Sequence, residues 1–307
     1  MANLINIFEY HCVGGGDNVR FVGGRVSLIP IKNNIFYSEG SEKRFSYIVT
    51  LLSERREFKA RKDINLILDP ILDSTGKLVG GKIGREAITK LPIKRGGTLS
   101  RVPTQICPYI WFLIYPSEQI ILFERKQDVF SKELVLFDYL TRYFNRELYA
   151  KGLEVTIRPL SVKGEFWKLL GNVEKLFSVR FYLKAPNLLG ETYDDLRDIL
   201  NKEKNDNNAT EVEVGISNTA GELMIRDQNK YSRMVGWVED GGGDWKVTAK
   251  AKGQKGRPHI FRNSDQLTIF DLDIDQGLVD MEGNDALAFI KEVSSRLNID
   301  SHRIKKD

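Results

Sequence analysis

The sequence predicts an α+β protein with a β-rich N-terminal domain and a C-terminal α/β sandwich of mixed or antiparallel sheet with covering helices. Three observations carry this. Apolar–polar alternation punctuated by turn residues dominates residues 1–130. A single stripe at helical spacing marks residues 131–152 as a connecting helix. Strand and helix patterns then alternate through residues 153–307, and 307 residues exceed the usual span of one compact domain.

In the first part, Phe45, Tyr47, Val49 and Leu51 fall on one face of an expected strand. Asp73-Ser74-Thr75-Gly76-Lys77 has turn chemistry. The dense glycines of Gly14–Gly16 and Gly80–Gly84 predict loops. Tyr109–Tyr115 and Gln119–Glu124 read as a hairpin turning at Pro116-Ser117. In the connecting helix Leu134, Phe137, Leu140, Phe144 and Leu148 form the stripe, with Ser131 as its cap and Gly152 as its left-handed stop.

Beyond it, Leu153, Val155 and Ile157 alternate with polar residues up to Pro159. A short helix is expected over 165–175, followed by the cleanest strand of the chain. There Phe177, Val179, Phe181 and Leu183 alternate with Ser178, Arg180, Tyr182 and Lys184. Thr192 and Asp195 resemble a capping box for a helix through Leu196, Ile199 and Leu200, and the polar run 201–208 reads as an exposed loop. Strands are expected near 211–216, 245–252 and 267–274, and a helix over 285–297 precedes a basic tail.

Composition narrows the class. Cys12 and Cys107 lie far apart without a CxxC partner, which predicts a reduced, cytoplasmic protein without a disulfide framework. No basic segment leads into a long apolar run at the N-terminus, so no secretion signal is expected. The longest apolar run, 106–115, is broken by Pro108 and falls well short of the ~20 residues of a spanning helix. The formal net charge is +4, with 22 basic against 16 acidic residues over 1–150 and 24 against 26 over 151–307. Local basic islands therefore matter more than the total.

The principal island runs from Trp245 to Arg262. Lys246, Thr248, Lys250 and Lys252 share one face of a strand, with Trp245, Val247, Ala249 and Ala251 on the other. Same-face residues lie about 6.6 Å apart, close to the roughly 7 Å between neighbouring phosphates of one DNA strand. Lys255, Arg257, His259 and Arg262 continue the island as a basic loop. Point charges without interleaved aromatics predict phosphate contact independent of base sequence. A solvated lysine face is the simpler alternative. A second island, Arg55, Arg56 and Lys59 with Arg61 and Lys62, is interspersed with Glu54, Glu57 and Asp63 and also suits a charged edge strand.

Catalytic patterns are incomplete. Gly76-Lys77-Leu78-Val79-Gly80-Gly81-Lys82-Ile83 matches phosphate-loop spacing until Ile83, where a hydroxyl is needed to ligate magnesium. Glu57-Phe58-Lys59 and Glu124-Arg125-Lys126 have the ExK spacing of metal-dependent nucleases, but no Asp lies between Asp73 and Glu124 to complete the second. Asp271, Asp273, Asp275 and Glu282 follow a calcium-loop template whose sixth position holds Gln276 instead of glycine. His11 beside Cys12 lacks a third member. No catalytic residue, metal or cofactor is expected. A nuclease, or an interaction module using an acidic surface over 271–285, are the alternatives.

The segment Val155–Ala185 resembles the RexA proteins of phage-exclusion systems. The features are the strand end Ile157-Arg158-Pro159-Leu160, the alternating run into Lys184-Ala185-Pro186, and downstream Asp194, Asp195 and Asn218-Thr219-Ala220-Gly221-Glu222. Kiwa-type defence proteins with a DNA-binding B subunit are similar in overall plan. The resemblance implies a two-domain, non-enzymatic, DNA-binding homodimer acting with a small membrane-protein partner in antiviral defence. It assigns no DNA contact to any particular lysine.

Overall fold

The computed structural model describes residues 19–31, 41–95, 97–184, 194–207, 209–226, 228–253, 256–265, 267–272 and 284–297. Two antiparallel sheets carry the fold, and a two-stranded ribbon stands apart from both.

The larger sheet has eight strands. Its order is β14 (Ile269–Leu272), β1 (Val19–Pro30), β8 (Ile120–Glu124), β7 (Tyr109–Tyr115), β4 (Leu78–Arg85), β3 (Ile64–Leu72) and β2 (Arg56–Arg61). The eighth, β9 (Leu153–Pro159), pairs with β1 from Gly24 to Pro30, while β14 takes Val19–Val22 of the same strand. Strands 153–159 and 269–272, placed by sequence in the C-terminal part, thus complete the N-terminal sheet. Alternation shows that a strand has a buried face but not which strand lies beside it.

Helices cover both faces of this sheet. On one, α1 (Ser41–Leu52) and α2 (Glu133–Leu148) bury Phe45, Ile48, Phe137, Leu140 and Phe144 against Val26, Phe112 and Phe123. On the other, α6 (Asn284–Leu297) sets Phe289 against Trp111, ring centroids 4.7 Å apart, with Leu113 and Leu122 alongside. Burial on both sides explains the unbroken apolar runs of β7 and β8.

Several local expectations change. Residues 41–52 form a helix, because Phe45, Ile48 and Leu52 satisfy helical spacing as well as the alternation satisfies a strand. Gly80–Gly84 lie within β4 instead of a loop. A Cβ at Gly81 would stand 2.4 Å from the Asp69 carbonyl oxygen and 2.6 Å from the Phe112 ring, so glycine there permits close strand packing. Lys132, not Ser131, occupies the N-cap of α2, without a side-chain cap, whereas Gly152 is left-handed at φ 62° as expected. Leu134 of the expected stripe is 38% exposed, and Leu136, Tyr139 and Tyr143 take the buried positions beside Phe137 and Leu140.

The smaller sheet has the order β11 (Glu211–Ser217), β10 (Val173–Lys184), β12 (Gly243–Ala251) and β13 (His259–Arg262). Helices α3 (Glu165–Gly171), α4 (Asp194–Asn207) and α5 (Gln228–Trp237) pack on one face around Phe166, Phe181, Trp237 and Trp245. The polar run expected as a loop continues α4 to Asn207. A register irregularity in β10 between Leu176 and Ser178 puts Leu176 in the core and leaves Phe177 half-buried. Arg25 of β1, 8% exposed, joins the two sheets: its guanidinium donates to the Glu118 carbonyl at 2.8 Å and faces the Asp240 charge beyond α5. His11, Cys12, Gly14–Gly16, Thr192, Asp273, Asp275, Glu282 and the basic tail lie outside the described residues.

Among the described residues no helix is long and apolar enough to cross a membrane.

Candidate nucleic-acid interface

Alternation in β12 buries Trp245, Val247 and Ala249 under the helices and turns Lys246, Thr248 and Lys250 to the open face. Pairing then decides what those lysines meet. Lys246 stands opposite Arg180 of β10 on one side and Arg262 of β13 on the other. Lys250 stands opposite Lys175. Three like-charge pairs therefore occupy one face of the sheet. With strands about 4.8 Å apart, the row Arg180–Lys246–Arg262 spans about 10 Å. The Lys175–Lys250 pair lies about 13 Å further along β12.

The face is not purely cationic. Arg180 pairs with Glu213 of β11 at 3.0 Å, both side chains about half exposed. At the end nearest β9, burial raises the Asp244 carboxyl, and the charges of Arg158 and Arg262 oppose that rise. Burial also lowers the Lys184 ammonium there, and Arg158 adds to the effect. Among the described residues the side chains of Lys246 and Lys250 make no ion pair or hydrogen bond. Lys246 is thus held between two cations and Lys250 beside one, and both are left to outside anions.

The expected site residues divide. Lys246, Lys250 and Arg262 share the open face. Lys252 follows β12, and its ammonium donates to the Gly171 carbonyl at 3.1 Å. Arg257 is exposed in the bend before β13, and Lys255 lies outside the described residues. His259 opposes Ala249, hence points to the helix side, where its ring meets Phe261 edge-on at 5.2 Å. The basic loop ends as strand β13. Arg180 and Lys175 were missed by sequence: the alternation of β10 placed Arg180 on a polar face, but only strand pairing brings it to Lys246.

Arg55, Arg56 and Lys59 sit elsewhere, at the β2 edge of the larger sheet. Arg55 donates to Asp69 at 2.8 Å through Nε, and Arg56 pairs with Glu54 and, at 4.0 Å, with Glu147. Two of these three charges are therefore answered within the chain.

The patterns for other chemistry resolve into structure. The start of the phosphate-loop match is a turn: the Asp73 carboxylate accepts from the Thr75 amide at 2.8 Å and the Lys77 amide at 2.9 Å, and β4 follows instead of a helix. Glu124, buried, accepts from the Trp111 amide at 3.1 Å and pairs with Lys126 at 3.0 Å. Glu57 and Lys59 lie on β2. Asp271 faces Arg20 at 3.4 Å across β14 and β1. Among the described residues no group of three or more His, Cys, Asp or Glu side chains could hold a metal ion. A cleft of about 910 Å³ is lined by Trp167, Leu170, Leu176, Leu223, Met224 and Ile225, with Lys175 at its rim.

No family model matches this chain, and no curated protein matches it either.

Proposed function

We propose that this chain is a non-enzymatic, sequence-independent DNA-binding protein that holds the phosphate backbone on the open face of its smaller sheet. One observation carries the reading: Lys175, Arg180, Lys246, Lys250 and Arg262 form three like-charge cross-strand pairs. Like charges placed directly opposite destabilise a sheet, and a polyanion laid across them reverses that cost. The pitch of the rows suits phosphates, and phosphate contacts carry no base sequence.

The resemblance of Val155–Ala185 to RexA supports a place in phage exclusion, as a cytoplasmic homodimer with a small membrane-protein partner. The experiment is purification at low and at high salt, followed by the ratio of absorbance at 260 and 280 nm and binding of a random-sequence duplex. Nucleic acid should accompany the low-salt protein and leave at high salt. Protein free of nucleic acid at low salt that also fails to bind added duplex contradicts the reading.

A further inference from the structure

Residues 87–106 form a two-stranded antiparallel ribbon, β5 (Ala87–Arg95) and β6 (Thr98–Ile106), registered from Ala87↔Ile106 to Arg95↔Thr98. It belongs to neither larger sheet, and among the described residues it adds no side chain to the three hydrophobic clusters. Its base is anchored where β4 meets β7. There the Arg85 amide donates to the Pro108 carbonyl at 2.9 Å, and the Glu86 carboxylate accepts from Asn65 at 2.9 Å. Nine residues per strand give an arm about 30 Å long.

The two faces of the arm differ. One carries Ala87, Thr89, Leu91, Val102 and Thr104, all half-buried. The other pairs Ile88 with Gln105, Lys90 with Pro103, Pro92 with Arg101, and Lys94 with Leu99, and all eight are exposed. Ile88 is 79% and Leu99 84% exposed. From Ala87 to Ser117 the sequence has no Asp or Glu but has Lys90, Lys94, Arg95 and Arg101. Lys90, Lys94 and Arg101 make no ion pair among the described residues.

A bare ribbon invites addition of another strand at its edges. Pro92 and Pro103 oppose this, one on each strand. Lys90↔Pro103 and Pro92↔Arg101 are two ladder positions apart, so both prolines occupy the same kind of pair. Having no N–H to give the partner, each sits where its nitrogen faces outward and removes a donor from an edge. Recognition then falls to the side chains of the exposed face.

We propose that this face of the β5–β6 ribbon enters a groove of duplex DNA, with Lys90, Lys94 and Arg101 on phosphates and Leu99 against base edges. The major groove, about 12 Å wide, admits a two-stranded ribbon. The inference rests on the DNA-binding reading above and adds a second contact remote in sequence from Lys246 and Lys250.

The test is binding of a random-sequence duplex by the full chain from about 50 to 200 mM salt, comparing the unaltered protein with K90A/K94A/R101A and K246E/K250E. The ribbon variant should lose about tenfold or more in affinity and shed about 2.7 from the salt slope, three phosphates at about 0.9 each. Leu99→p-benzoylphenylalanine should photocrosslink to the duplex, a readout independent of how the triple variant folds. Unaltered protein that binds duplex, with a ribbon variant of equal affinity and slope and no crosslink from position 99, overturns the ribbon contact alone. Unaltered protein that binds no duplex at low salt overturns the ribbon contact and the proposed function together.

Discussion

Lys246 of β12 lies directly opposite Arg262 of β13, with Arg180 of β10 opposite it on the other side. A cation between two cations is a local conflict that packing does not require, since Trp245, Val247 and Ala249 fill the buried side of the strand. Such pairs cost about 0.2–1 kcal/mol each relative to neutral ones. Lys246→Glu should therefore raise the unfolding midpoint in urea while weakening duplex binding. Equal or lower stability with unchanged binding would mean that the row is an ordinary solvated surface.

Arg25 is held by burial and by few partners. Its guanidinium lies below its usual range because burial penalises the charge, and Asp240 and Glu118 oppose that effect. Removing one member of a buried charged pair costs about 3–5 kcal/mol. Arg25→Ala should lose stability on that scale in chemical denaturation, whereas Arg25→Met, which keeps volume and removes the charge, should lose less. Equal losses from both variants would locate the contribution in the guanidinium's charge and its bond to the Glu118 carbonyl rather than in packing.

Lys204 of α4 supplies a pH dependence. Burial, with the Arg44 charge nearby, brings its ammonium down to about 8. The unfolded chain keeps this proton up to about 10.4. Below pH 8 both states are protonated and the folded state carries the cost of the charge. Between pH 8 and about 10 the unfolded state binds more protons, so stability rises with pH. Lys204→Met should be the more stable protein at pH 7, by a margin that shrinks towards pH 10 in thermal melts. A margin independent of pH would assign the effect to hydrophobic burial.

Sequence reading resolved strands that bury one face and helices with a single stripe. β10, β12 and α2 are of this kind, and the β7–β8 hairpin, buried on both faces, was legible from its unbroken apolar runs around Pro116-Ser117. It failed where two periods fit one segment, as with Phe45, Ile48 and Leu52 in α1, and where polar residues propagate a helix, as in 201–207. It also could not assign β9 and β14 to a sheet, because partners more than a hundred residues apart leave no local signature. The site was half legible for the same reason. Lys246, Lys250 and Arg262 were visible as a charge pattern, but Arg180 and Lys175 join them only through the pairing of β10 with β12, and the alternation along β13 that turns His259 to the helix side is likewise a property of register.

Glu124 separates the binding reading from its nuclease alternative. Its carboxylate accepts from the Trp111 amide at 3.1 Å, a bond inside the larger sheet. Glu124→Gln should cost about 1–3 kcal/mol of stability, the scale for a disturbed buried hydrogen bond, and leave duplex affinity unchanged. Magnesium-dependent cleavage by the unaltered chain that disappears in this variant would instead make Glu124 a nuclease carboxylate.

The most direct test of phosphate binding by the open sheet face is the slope of log affinity against log salt for a random-sequence duplex. Five cations, at about 0.9 per neutralised phosphate, predict a slope of about −4 or steeper for the unaltered chain and one shallower by about 2 for K246E/K250E. A slope near zero, or one that the double variant leaves unchanged, would contradict the account.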